Sequence, residues 1–139
     1  CIQALDILET LIAEGPVPPK HRLNAALMHG ERANGFSRMN KNAEAESHLK
    51  KAVDLLDPLA AEFPHEAQYN LELGRFCLLL GCSKGLFGDP EEALRLLDKA
   101  NALLERLVGQ EGPGTEVAAT LLKLTRSTRD NIIKKKGQN

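Results

Sequence analysis

Four histidines, three cysteines and a few adjacent carboxylates are the residues of this 139-residue chain whose chemistry could build a site. His21, His29, His48 and His65 form neither an HxxxH nor an HExxH pair. His21 and His29, eight apart, can share a helix face, but two imidazoles without a nearby carboxylate or thiolate fall short of a metal-ligand set, and the four read as surface or boundary histidines. The cysteines have no metal-ligand spacing either; Cys77 and Cys82 lie five apart, which a helix does not place on one face, so they read as reduced thiols. Glu91-Glu92 belongs to a helix start. The run GLFGDP (85–90) lacks the lysine and hydroxyl that a phosphate-binding loop uses, and no serine nucleophile motif is present. The reading is therefore binding without catalysis, with no metal and no cofactor.

Bulk composition agrees. Eighteen basic and 19 acidic residues leave a net charge of -1, which provides no global field for nucleic acid or an anionic membrane surface. No run approaches the roughly 18 apolar residues of a membrane span. Hydrophobic content is 42% and aromatic content 4% without Trp, so Leu and Ala must fill the core. Reduced thiols and the missing span point to the cytoplasm. The chain opens at Cys1 inside a helical pattern matching the second half of a repeat, which reads as a single domain (1–139) taken from a longer protein.

The elements that would position any site recur. Ala52, Leu55, Leu56 and Leu59 have counterparts 48 residues upstream in Ala4, Ile7, Leu8 and Leu11, and 48 downstream in Ala100, Leu103, Leu104 and Leu107. A unit too small to bury its apolar face alone must stack on its neighbours. Three-and-four spacing predicts a helix over 1–14, stopped by Gly15-Pro16 and Pro18-Pro19, and a second from Pro19 to about Met39 that buries Leu23, Ala26, Leu27, Gly30, Ala33, Phe36 and Met39. Asn42 is predicted to cap a third helix running to Phe63, with a kink or new turn at Pro58 and with Ala45, Leu49, Ala52, Val53, Leu56, Leu59 and Ala60 inside. The almost wholly apolar stretch to Gly81 predicts an interior helix, and CSKGLFG (82–88) a glycine-rich loop. Asp89-Pro90-Glu91-Glu92 starts a helix to about Val108. Thr115 is predicted to cap a last one, whose Arg126, Arg129, Lys134, Lys135 and Lys136 form a solvated cationic end.

This pattern resembles the tetratricopeptide repeat, a pair of antiparallel helices. Leu73-Gly74, Cys77 and Gly81 match its first helix; Ala93, Leu97 and Ala100 match the small-large-small signature of its second; Ala33, Phe36, Asn40, Ala45, Leu49 and Ala52 fit the same template one unit earlier. The period departs from the family's 34, His29 and Asn70 fill the tryptophan-type position, and the proline after the second helix has moved to Pro58 or is missing. A second likeness is to the repeat tails of large bacterial serine/threonine kinases.

The resemblance implies an all-α, right-handed superhelical stack of about six helices that acts as a protein-interaction scaffold. It places a groove for a peptide or partner helix on the first helices: Glu31, Asn34 and Arg38 in one unit, Gln68, Glu72 and Arg75 in the next. The ordinary alternative is that these are solvated polar residues. A carboxylate clamp of the chaperone-tail type is not implied, because only Asn34 matches while Gly30 and Glu72 stand where lysine and asparagine belong. Leu86 and Phe87 would fold back as a cap on the core or else protrude as a partner contact. The competing functional reading is a structural, oligomerising segment of a signalling protein, including a homodimer, with no ligand of its own.

Overall fold

The long helices keep one interval between their starts, and those at Pro19 and Pro90 open on proline. The computed structural model describes residues 4–7, 9, 10, 18–86, 88–110, 112 and 114–138. In it α1 spans Pro19–Arg38, α2 Asn42–Glu62, α3 Ala67–Leu86, α4 Pro90–Val108 and α5 Thr115–Gln138. Helices α1, α3 and α5 start at residues 19, 67 and 115, and α2 and α4 at 42 and 90, so both sets advance by 48. Residues 4–7, 9 and 10 are helical too, and no strand occurs among the described residues. The chain forms two compact units, Cys1–Phe63 and Pro64–Asn139.

In the first unit α1 ends at a left-handed residue. Asn40 has φ 60°, the Asn40 N–H donates to the Ser37 carbonyl at 3.1 Å, and the Lys41 N–H donates to the Phe36 carbonyl at 2.8 Å. This closes the orphan carbonyls of the last turn in the Schellman manner. Asn42, predicted as a cap, is instead the first residue of α2, and no side chain caps that helix, because the tight turn at Asn40 brings the new helix in one residue early. Helix α2 runs unbroken through Pro58 to Glu62, and the Phe63 N–H closes on Leu59 at 2.9 Å. Its buried residues are the seven that the stripe predicts. On α1, Leu23, Ala25, Ala26, His29 and Ala33 are buried, whereas Met39 lies past the helix end and is exposed. An Arg22–Glu62 ion pair of 3.1 Å joins the start of α1 to the end of α2, as antiparallel packing requires.

The second unit carries the same devices. Gly88, with φ 90°, stands 48 residues after Asn40, and the Asp89 N–H donates to the Lys84 carbonyl at 2.9 Å, the counterpart of the Lys41–Phe36 bond. Helix α3 therefore continues to Leu86, and most of the predicted 82–88 loop is helix. Its glycines are packing surfaces rather than breaks: a Cβ on Gly85 would meet Ile132 Cδ1 of α5 at 2.8 Å. On the α4 side a Cβ on Gly74 would meet Leu104 Cγ at 3.0 Å, and one on Gly81 would meet Leu97 Cγ at 2.9 Å and the Ala93 carbonyl at 3.3 Å. Close approach of backbone to leucine is what lets Leu97 and Leu104 become fully buried, each worth about 1.5–3 kcal/mol. The Asp89 side chain accepts the Glu92 N–H at 3.3 Å, so the predicted cap of α4 is present. Thr115 lies inside α5, and its hydroxyl donates back to the carbonyls of Gly112 (2.8 Å) and Gln110 (3.1 Å) rather than capping the helix.

The cations of α5 meet acids of α4 in antiparallel order. Lys136 pairs with Glu91 at 3.8 Å and Arg129 with Asp98 at 2.8 Å; Arg126 reaches Asn101 at 3.2 Å and Glu105 at 3.9 Å. Glu91, Asp98 and Glu105 are seven apart, so they line one face of α4, and the ladder fixes the register of α5 as flanking charges do in coiled coils. Arg126, Lys134, Lys135 and Lys136 are exposed, as the solvated end read from the sequence requires, and Arg126, Arg129 and Lys136 also pair across the helices.

Gly81→Ala must displace Leu97 and is expected to destabilise the second unit by about 1–2 kcal/mol net of helix propensity. Gly35→Ala, with nothing within 4 Å of the new Cβ, is expected to stabilise the first by about 0.5–1 kcal/mol; urea titration of each variant gives the sign. Reversing Asp98→Lys or Arg129→Glu singly should lower stability by up to about 1 kcal/mol, and the double reversal should recover most of it at low salt. Thermal melts of the four proteins at two salt concentrations test this.

Candidate functional site

The predicted groove residues fall on one recurring helix face. On α1 that face runs Lys20, Asn24, Leu27, Glu31, Asn34, Arg38, spaced by fours and threes; the positions 48 later on α3 are Gln68, Glu72, Arg75, Leu79, Cys82 and Leu86. Glu31, Asn34 and Arg38 are exposed in the first unit, and Gln68 is exposed in the second. Glu72 and Arg75 are half-buried and bound to each other: Arg75 Nε and Nη2 both donate to Glu72 Oε2, at 2.9 and 2.5 Å, and the guanidinium lies 4.5 Å over the Phe76 ring. Arg75 is thus held between Glu72 and the Phe76 ring.

The α3 face changes character along its length. After the ion pair come Leu79, 42% exposed, and Leu86, 76% exposed. Leu86 is not folded back over the core; with α3 continuing through it, its side chain projects into solvent. Phe87 lies outside the described residues. From Gln68 to Leu86 the face extends about 27 Å at 1.5 Å per residue. Leu79 was hidden to sequence reasoning inside the run Cys77-Leu78-Leu79-Leu80, where only Leu79 points outward.

A second constellation escaped the sequence altogether. His29 is 1% exposed, buried in the first unit. Its Nε2 lies 2.6 Å from Glu9 Oε1, and its Nδ1 lies 2.9 Å from Nδ1 of His48 on α2, whose ring stacks on Phe36 at 5.4 Å and 14°. A carboxylate only accepts, so His29 Nε2 carries a hydrogen; neutral His29 then accepts at Nδ1, so His48 Nδ1 carries the donor hydrogen. The result is an oriented chain, His48 N–H to His29 N–H to Glu9. Burial favours the neutral form of both rings. His29 is held below the ordinary histidine value of 6.5 by desolvation, opposed by Glu9 and assisted by Lys51 and Arg32. His48 is lowered likewise, by desolvation and then by His29, Arg32 and Lys51. The boundary-histidine reading fails for His29, because the separations of 20 and 19 residues that join Glu9, His29 and His48 leave no local spacing signal.

Other groups offer less. No set of three or more His, Cys, Asp or Glu able to hold a metal occurs among the described residues. Cys77 is a buried free thiol, and the half-buried Cys82 thiol donates to Thr128 Oγ1 at 4.0 Å, its pKa raised by desolvation. Among the described residues no helix is long and apolar enough to cross a membrane. No family model, no curated protein and no solved structure matches the chain.

Arg75→Ala, which removes the ion pair and the ring contact together, is expected to cost about 1 kcal/mol in chemical denaturation, whereas Arg38→Ala should stay within about 0.5 kcal/mol.

Proposed function

We propose that this chain is a helical-repeat interaction module, of the tetratricopeptide kind, that binds a peptide or partner helix along the outer face of its first helices and has no catalytic role. The carrying observation is the α3 face, where two exposed leucines, Leu79 and Leu86, stand in line with Gln68 and the Glu72–Arg75 pair. Large apolar side chains at helical spacing beside oriented polar groups suit an amphipathic segment, with the leucines as anchors and the polar groups setting its register. Glu31, Asn34 and Arg38 offer the polar counterpart on α1. In this reading the thiols of Cys77 and Cys82, outside any disulfide, suit a reducing, cytoplasmic setting.

Self-association is the second reading, favoured by Val117 and Leu124, each 52% exposed on α5. The two separate by experiment. Peptides selected from a random 15-residue library on the immobilised chain should lose at least tenfold in affinity on a Leu79→Asp, Leu86→Asp double variant with unchanged circular dichroism. If no peptide is enriched while sedimentation shows a dimer that Leu124→Asp disrupts, the self-association reading holds and the peptide-binding one falls.

A further inference from the structure

The buried His29 and half-buried His48 of the first unit are not required by the packing plan. Forty-eight residues after His29 stands Cys77, and 48 after His48 stands Leu96; both are buried, at 0% and 2% exposure. The second unit thus fills the corresponding positions with apolar side chains. The first unit puts two titratable rings there, which is unfavourable unless each polar atom is paired. The pairing spans three separate helical stretches: Glu9 in the first, His29 on α1, His48 on α2.

We infer that His29 and His48 form a proton-operated latch across the α1–α2 seam of the first unit, with Glu9 holding the His29 tautomer, closed at neutral pH and opened by acid. This goes beyond the binding role proposed above and does not rest on it. A first proton is accommodated at His48 Nε2, since the Nδ1–H to Nδ1 bond survives. A second places two N–H groups face to face at a 2.9 Å separation, on rings that also face Arg32 of α1 and Lys51 of α2; Glu9 is the acidic group that opposes them. Two imidazolium ions so placed repel, and the buried one has no room for water to screen it. Both folded-state values lie below 6.5, so the unfolded first unit binds more protons as pH falls through that value. The latch's stabilisation is therefore complete above about pH 6.5 and is lost as pH falls toward the folded-state values.

Amide hydrogen exchange on the full chain, corrected for intrinsic rates, tests this at pH 5.0 to 7.5. The opening constant of amides in the α1–α2 segment around His29 and His48 should rise by up to about tenfold per pH unit below 6.5 for each proton taken up, while α4 amides show no such rise. A His29→Cys, His48→Leu variant, which installs the second unit's pair, should keep its helical circular dichroism and lose the pH response. His48→Gln, which still donates a hydrogen bond but does not titrate in this range, should weaken the response with the segment still protected. A wild-type opening constant that is flat with pH, or a response that persists in both variants, would overturn the latch.

Discussion

The phase of the repeat is the constraint on which the rest depends, and it is set where each first helix ends. A left-handed residue, Asn40 in one unit and Gly88 in the other, turns the chain so that the next helix begins within two residues. Only glycine, and at modest cost asparagine, enters that conformation readily. With the turn fixed, the following helix presents its small-large-small stripe to the preceding one. In the second unit Gly74 and Gly81 then sit against Leu104 and Leu97, and the ladder from Glu91–Lys136 to Glu105–Arg126 holds α5 in register on α4.

On this shared plan the two units diverge in chemistry. In the second the α3–α4 seam is apolar, and exposed leucines stand beside a clamped ion pair on α3. The first keeps its exposed α1 face polar and places its chemistry inside, as an oriented hydrogen-bond chain. A buried polar chain is specific because every donor needs its acceptor, and sensitive for the same reason: one misplaced proton leaves two donors facing each other.

How much was legible in the sequence varies with how local the cause is. All seven buried positions of α2 follow from a stripe with strong contrast, and the Asp89 cap follows from four adjacent residues. The end of α3 did not follow, because CSKGLFG has loop composition; Gly85 there packs against Ile132, 47 residues away, and the helix closes only at Gly88. Met39 read as core because it continues the α1 spacing, yet the helix stops one residue earlier. The Glu9–His29–His48 chain was least legible, since its members lie on three helical stretches. The one available signal was that His29 occupies a slot where the repeat elsewhere carries a buried apolar side chain.

The claim at the centre of this account is that one plan carries an apolar seam in one unit and a directed proton chain in the other. Long-range proton–nitrogen NMR of the histidine rings at pH 7.5 reads the direction itself. The geometry predicts the Nε2–H tautomer for His29 and the rarer Nδ1–H tautomer for His48, each with slow solvent exchange of the ring proton. Finding both rings in the Nε2–H form, or averaging freely between tautomers, would contradict it.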